Sequence, residues 1–139
     1  MRPALATAVG LSLALAACGD GGSPGTTGTT PTPAEARRLT ADEQDLVTRS
    51  DRTVERYCAR LALSLTGQRK PPSAEDQVRA FAATDRLIEL AQEKPAARLE
   101  TGVDMGLFLG DLAEDLEGSN CDPRLVERLD QGLETLPQP

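Results

Sequence analysis

Acid–base chemistry near neutral pH usually rests on histidine, and this 139-residue chain has none. The usual general base and the commonest transition-metal ligand are therefore missing. A serine–lysine pair would need Lys70 or Lys94, and both fall in stretches that read as loops. Ser64, Ser73 and Ser119 stand near expected helix ends, where capping accounts for them. Carboxylates are plentiful: Glu100, Asp104, Asp111, Glu114, Asp115, Glu117 and Asp122 follow one another with no basic residue between Arg98 and Arg124. Calcium takes several oxygens converging on one point. Asp115, Glu117, Asn120 and Asp122 could curl around the Gly118 turn, but their spacing departs from the EF-hand loop. A solvated acidic face is the expectation, with no metal, no cofactor and no catalytic constellation. The chain reads as a protein other than an enzyme.

Two patterns suit recognition instead. Arg49, Arg52, Arg56 and Arg60 recur every three or four residues and form one stripe on a helix. Three uses are open to it: pairing with the acidic stretch inside the fold, binding an acidic partner, or facing anionic lipid headgroups. Asp51 and Glu55 dilute the stripe, and pairing within the fold is the preferred reading. Nucleic acid is not an expected partner, because the formal net charge is −7 and only 2 % of residues are aromatic. Gly102, Gly106 and Gly110 recur at every fourth position. Each interior glycine costs about 1 kcal/mol of helix propensity relative to alanine, so three on one side imply a close neighbour. A packed helix of the same fold is the preferred neighbour, and a groove for a partner helix or an apolar ligand is the sharper alternative. Asp104 and Asp111 exclude a conventional membrane span there.

The amino terminus supplies an address. Arg2 precedes an apolar stretch from Ala4 to Ala17 that is broken by Thr7, Gly10 and Ser12. It is shorter than the ~20 residues a bilayer span needs. A charged start, a short apolar core and small residues before a cut describe a secretory signal peptide over residues 1–17. The run Leu15-Ala16-Ala17-Cys18 resembles the lipobox of bacterial lipoproteins. That resemblance covers eighteen residues. It implies cleavage before Cys18, a lipid on its sulfur, and residence on the outer face of the cell membrane. Acyl chains such as palmitate would be the anchor. An ordinary signal peptide cut near Ala17, leaving Cys18 a free thiol, is the alternative.

Giving Cys18 to the lipid leaves Cys58 and Cys121 as an even pair out of three cysteines. In the oxidising compartment of an exported protein such a pair closes, which also removes a thiolate nucleophile. The segment Gly19–Pro33 (GDGGSPGTTGTTPTP) has no apolar side chain able to join a core. With Cys18 it reads as a disordered tether, of root-mean-square reach about 20 Å. Its threonines read as an unmodified spacer rather than as sugar acceptors. Arginine supplies 13 of the 15 basic residues, a bias of GC-rich genomes. The layout is similar to small lipoproteins of high-GC Gram-positive bacteria.

Residues 34–139 must position whatever functions, and they suffice for one small domain. Strand signals are weak and helix signals dominate. Thr40 and Glu43 form a capping box for a first helix reaching about Leu65, with Val47, Val54, Tyr57, Cys58, Leu61 and Leu65 on its apolar side. Ser73 caps a second, whose expected buried side is Val78, Phe81, Ala82, Leu87, Ile88 and Ala91; Pro95 ends it or starts the next element. A third helix begins near Ala96 or at a Thr101 cap, carries Leu99, Val103, Leu107, Phe108, Leu109, Leu112, Ala113 and Leu116, and stops at Gly118. Asp122-Pro123 opens a fourth, with Leu125, Leu129, Leu133 and Leu136.

Four helices on short connections predict an all-α, antiparallel up-down bundle. In that topology Cys58 and Cys121 meet at one end. The expected function is a membrane-anchored, non-enzymatic module of the cell envelope that binds another envelope protein. A carrier or sensor for a small apolar or cationic ligand, held between the helices, is the alternative.

Overall fold

The computed structural model describes residues 37–137; the leader 1–17, Cys18 and the tether to residue 33 lie outside them. The described residues form four helices, with two isolated β-bridges and no longer strand. None of these helices is long and apolar enough to cross a membrane. α1 (Ala41–Leu65) starts on the expected box: the Thr40 hydroxyl accepts from the Glu43 N–H, and the Glu43 carboxylate accepts from the Thr40 N–H. Two of the four unpaired donors of a helix start are thereby satisfied. Past its end, the N–H groups of Gly67 and Gln68 donate to the Ser64 and Leu63 carbonyls. Gly67 sits at φ 72°, as such a cap requires. α2 (Ala74–Glu93) opens on an equivalent box between Ser73 and Asp76.

α3 (Met105–Gly118) begins later than expected. Neither Ala96 nor Thr101 starts it. Its cap is Asp104, whose carboxylate accepts from the Leu107 N–H at 2.9 Å. The preceding stretch folds into a compact loop. Gly102, at φ 87°, turns back to donate to the Leu99 carbonyl, and Leu99 donates to Val103. Arg98 is bridged to Arg38 on one side and to Asp104 on the other. Residues in left-handed conformation cannot continue a right-handed helix. Gly102 therefore keeps this segment out of α3. The end of α3 is closed by Asn120 at φ 54°. The Asn120 and Cys121 N–H groups reach back to the Glu117 and Leu116 carbonyls at 3.2 and 3.1 Å. α4 (Pro123–Glu134) follows at once, with Asp122 as cap and Pro123 in its first turn.

The helices run up, down, up and down. Lys94, just past α2, bonds to Glu43 at the start of α1 at 2.6 Å, and Arg60 near the end of α1 reaches Asp76 at the start of α2. Gln92 late in α2 bonds to Thr135 just past α4, so those two run parallel. α2 is the central helix, packed against α1, α3 and α4. This explains where its expected face was wrong. A helix touched on three sides buries far more than one stripe, and α2 buries Ala80, Ala83, Thr84, Leu87, Ile88, Leu90 and Ala91. Val78 is 67 % exposed, and Ala82 is exposed as well. Leu65 and Leu107, also read as core, are 72 % and 62 % exposed.

Val54, Leu87, Met105, Leu109, Leu125 and Leu129 fill the axis of the bundle and are fully buried. The closest helix approach among the expected and observed glycines falls at Gly132 of α4, where a Cβ would meet three Ile88 side-chain carbons at 2.7–2.9 Å. The expected series does not form such a face. Gly102 is outside the helix, a Cβ on Gly106 would make ordinary contact with Leu136 at 3.6 Å, and one on Gly110 would meet nothing within 4 Å.

Candidate functional site

The disulfide end of the bundle is built by the cap that closes α3. The left-handed Asn120 turns the chain so that Cys121 faces α1, and it is bonded to Cys58 with a Cα–Cα distance of 4.9 Å. Asp122 follows, with its carboxylate buried. It accepts from the Tyr57 hydroxyl and the Gln77 side-chain amide, both at 3.2 Å, and from the Arg124 guanidinium at 2.8 and 3.0 Å. It also accepts from the Arg124 N–H at 3.1 Å. One carboxylate thus joins α1, α2 and α4. The Arg124 hydrogen bonds dominate its environment and hold its pKa down at about 2. Burial pushes the Tyr57 phenol up, and the Asp122 charge beside it adds to that shift. Asp122 was legible in the sequence as a cap and as a candidate calcium donor. The structure turns it inward, away from Asp115 and Glu117. No spacing signal announced Tyr57 and Gln77 as its partners, because they lie 65 and 45 residues away.

Beside the disulfide, α1 and α3 run side by side with little direct packing, and an open groove of about 430 Å³ lies between them. Small residues on α1 leave room for it: Ala59 and Ala62 line it together with Cys58, and Phe108, Leu112 and Leu116 line it from α3. Asp51 and Glu55 of α1 and Asp111 and Asp115 of α3 are the carboxylates of its lining. None of these four carboxylates makes an ion pair within 4 Å among the described residues. Burial raises the pKa of Asp51, and the charges of Glu55 and Asp115 raise it further. The four do not converge as a metal site would; no cluster of three or more potential ligands able to hold a metal occurs among the described residues.

The arginine stripe is on another side of α1. Arg49, Arg56 and Arg60 line the seam with α2, together with Arg79, Arg86 and Arg69. The stripe pairs within the fold only in part, and among the described residues none of its ion pairs is with the acidic third helix. Arg49 pairs with Asp45 of its own helix and Arg60 with Asp76 of α2, each at 3.0 Å. Arg52 and Arg56 make no ion pair among the described residues. The reason is helical phase: the α1 residues turned toward α3 are Asp51, Glu55 and Cys58, so α3 meets like charge rather than arginine. α1 therefore separates a basic seam from an acidic groove. Comparison with protein families, with curated proteins and with solved structures gave no match for this chain.

Proposed function

We propose that this chain is an extracytoplasmic lipoprotein, non-enzymatic, held to the outer face of the cell membrane through lipid on Cys18. Its helical domain docks onto another protein of the cell envelope. The observation that carries the docking role is the charge division across α1, with an arginine-lined seam on one side and four unpaired carboxylates on the other. Opposed charged surfaces steer association and select partners more than they add affinity. The lipobox supports the anchor, and the Cys58–Cys121 bond accords with an oxidising compartment. The test is crosslinking in intact cells followed by mass spectrometry, with a Cys18→Ala chain as control. One envelope protein recovered repeatedly with the native chain is the expected result. Recovery of no protein above the control refutes docking, and an unlipidated Cys18 in the intact mass refutes the anchor.

The second reading, a small-ligand carrier, is favoured by one feature: the α1–α3 groove has the size of a ligand site. Leu87, Met105, Leu109, Leu125 and Leu129 fill the bundle axis, so in this reading the ligand would sit in the groove.

A further inference from the structure

We infer that the α1–α3 groove is the docking site for a short helix of a partner protein that carries basic and apolar residues on one face. The inference rests on the docking role proposed above and names the chemistry of the partner segment.

The shape comes from the walls. The groove is lined from Asp51 to Ala62 on α1 and from Phe108 to Ser119 on α3. At 1.5 Å per residue, each wall runs for roughly 16 Å, or three turns. A trough between two parallel helices, floored by Leu112 and Leu116 and open to solvent, accepts the ridge of a third helix. The alanines at 59 and 62 leave the room that larger side chains would have filled.

The charge pattern fixes composition. Carboxylates stand along both walls, Asp51 and Glu55 on α1 and Asp111 and Asp115 on α3, interleaved on α3 with the apolar Phe108, Leu112 and Leu116. Spread as i, i+4 pairs on two walls, the carboxylates suit a row of lysines or arginines better than a single ion, and the apolar side chains between them suit leucines on the same face. Asp51 adds an independent sign: it is held half-buried among like charges in the free chain, at a cost that an arriving cation relieves. Perturbed groups of this kind gather at functional sites.

The test titrates the full disulfide-closed chain with a synthetic helical peptide carrying leucines and lysines along one face. Binding is read by amide chemical shifts. The expected result is shifts confined to the α1–α3 groove and affinity at least about tenfold weaker for Asp51→Asn/Asp115→Asn. Ala62→Leu should weaken it likewise, while Arg52→Glu/Arg56→Glu changes it less than twofold. Relief of repulsion leaves the double Asn variant no less stable, so weaker binding would not reflect unfolding. Equal binding of the glutamate counterpart, shifts on the arginine seam, or displacement by equimolar dodecyltrimethylammonium would each overturn the assignment, the last in favour of a small amphiphile. In cells, a partner still crosslinked by Asp51→Lys/Asp115→Lys overturns the groove while leaving the docking role intact. Loss of that partner in this variant supports the groove.

Discussion

Replacing Asp122 with asparagine separates a helix cap from a charge. Asparagine keeps an oxygen for the Arg124 N–H, so the start of α4 stays capped. What disappears is the negative charge shared among Tyr57, Gln77 and Arg124. The folded carboxyl titrates at about 2, against about 4 in an unfolded chain, which corresponds to at most about 2.5 kcal/mol. The Arg124 side of the pair is largely exposed, and solvent screening reduces the contribution to about 1–2 kcal/mol. A depressed folded pKa gives stability that is complete above pH ~4 and drains away as pH falls from there toward ~2. Urea unfolding should therefore find Asp122→Asn about 1–2 kcal/mol less stable than the native chain at pH 7, with the gap closing by pH ~2. Asp122→Ala should lose about 1 kcal/mol more, and that part should persist in acid. A gap of the same size at pH 7 and pH ~2 would refute the electrostatic account.

Reduction of the Cys58–Cys121 bond, or its replacement by two alanines, should cost about 4 kcal/mol for a separation of 63 residues, measured as the shift in urea midpoint. Two of the helical glycines should respond in opposite directions. Gly110→Ala meets open space and should gain about 0.5–1 kcal/mol, whereas Gly132→Ala must displace Ile88 and should lose about 1 kcal/mol net of its propensity gain, both read by thermal melts. Asp51 has a raised folded pKa, so its ionised form is disfavoured by folding. Asp51→Asn should raise Tm at pH 7, and the advantage should vanish as pH falls below the carboxylate range. A lower Tm at pH 7 would contradict the like-charge environment.

Local chemistry was the most legible part of this sequence. Thr40 with Glu43, Ser73, and Asp122-Pro123 announce three helix starts, because caps depend on neighbours within three residues. The pairing of Cys58 with Cys121 followed from counting cysteines and from up-down topology. The start of α3 was misread because Leu99 and Val103 continue a helical period, and sequence spacing cannot show that Gly102 takes a left-handed conformation. The arginine stripe was found, but its neighbour was not. Which side of α1 meets α3 depends on where the central α2 sits, and that is a property of the assembled bundle. The acidic groove escaped notice for the same reason: Asp51 and Glu55 were read as diluting a basic face, when they belong to another one.

The joining of Cys58 to Cys121 also decides how the domain answers tension. Force arriving along the chain at Arg37 meets the backbone bonds between Arg37, Arg98 and Leu39 first, where the entering strand is tied to the loop before α3. Once they part, α1 can unwind only as far as Cys58, because everything between there and Cys121 is a covalent ring. Of the described chain, about 40 residues can then lengthen, giving roughly 130 Å of extension at ~3.5 Å per residue. All of α2 and α3 lie inside the ring, so both walls of the groove above Cys58, and the whole α3 wall, stay off the line of pull. A stretched molecule would pay out a short, fixed length of rope while α2 and α3 stayed tied inside the ring.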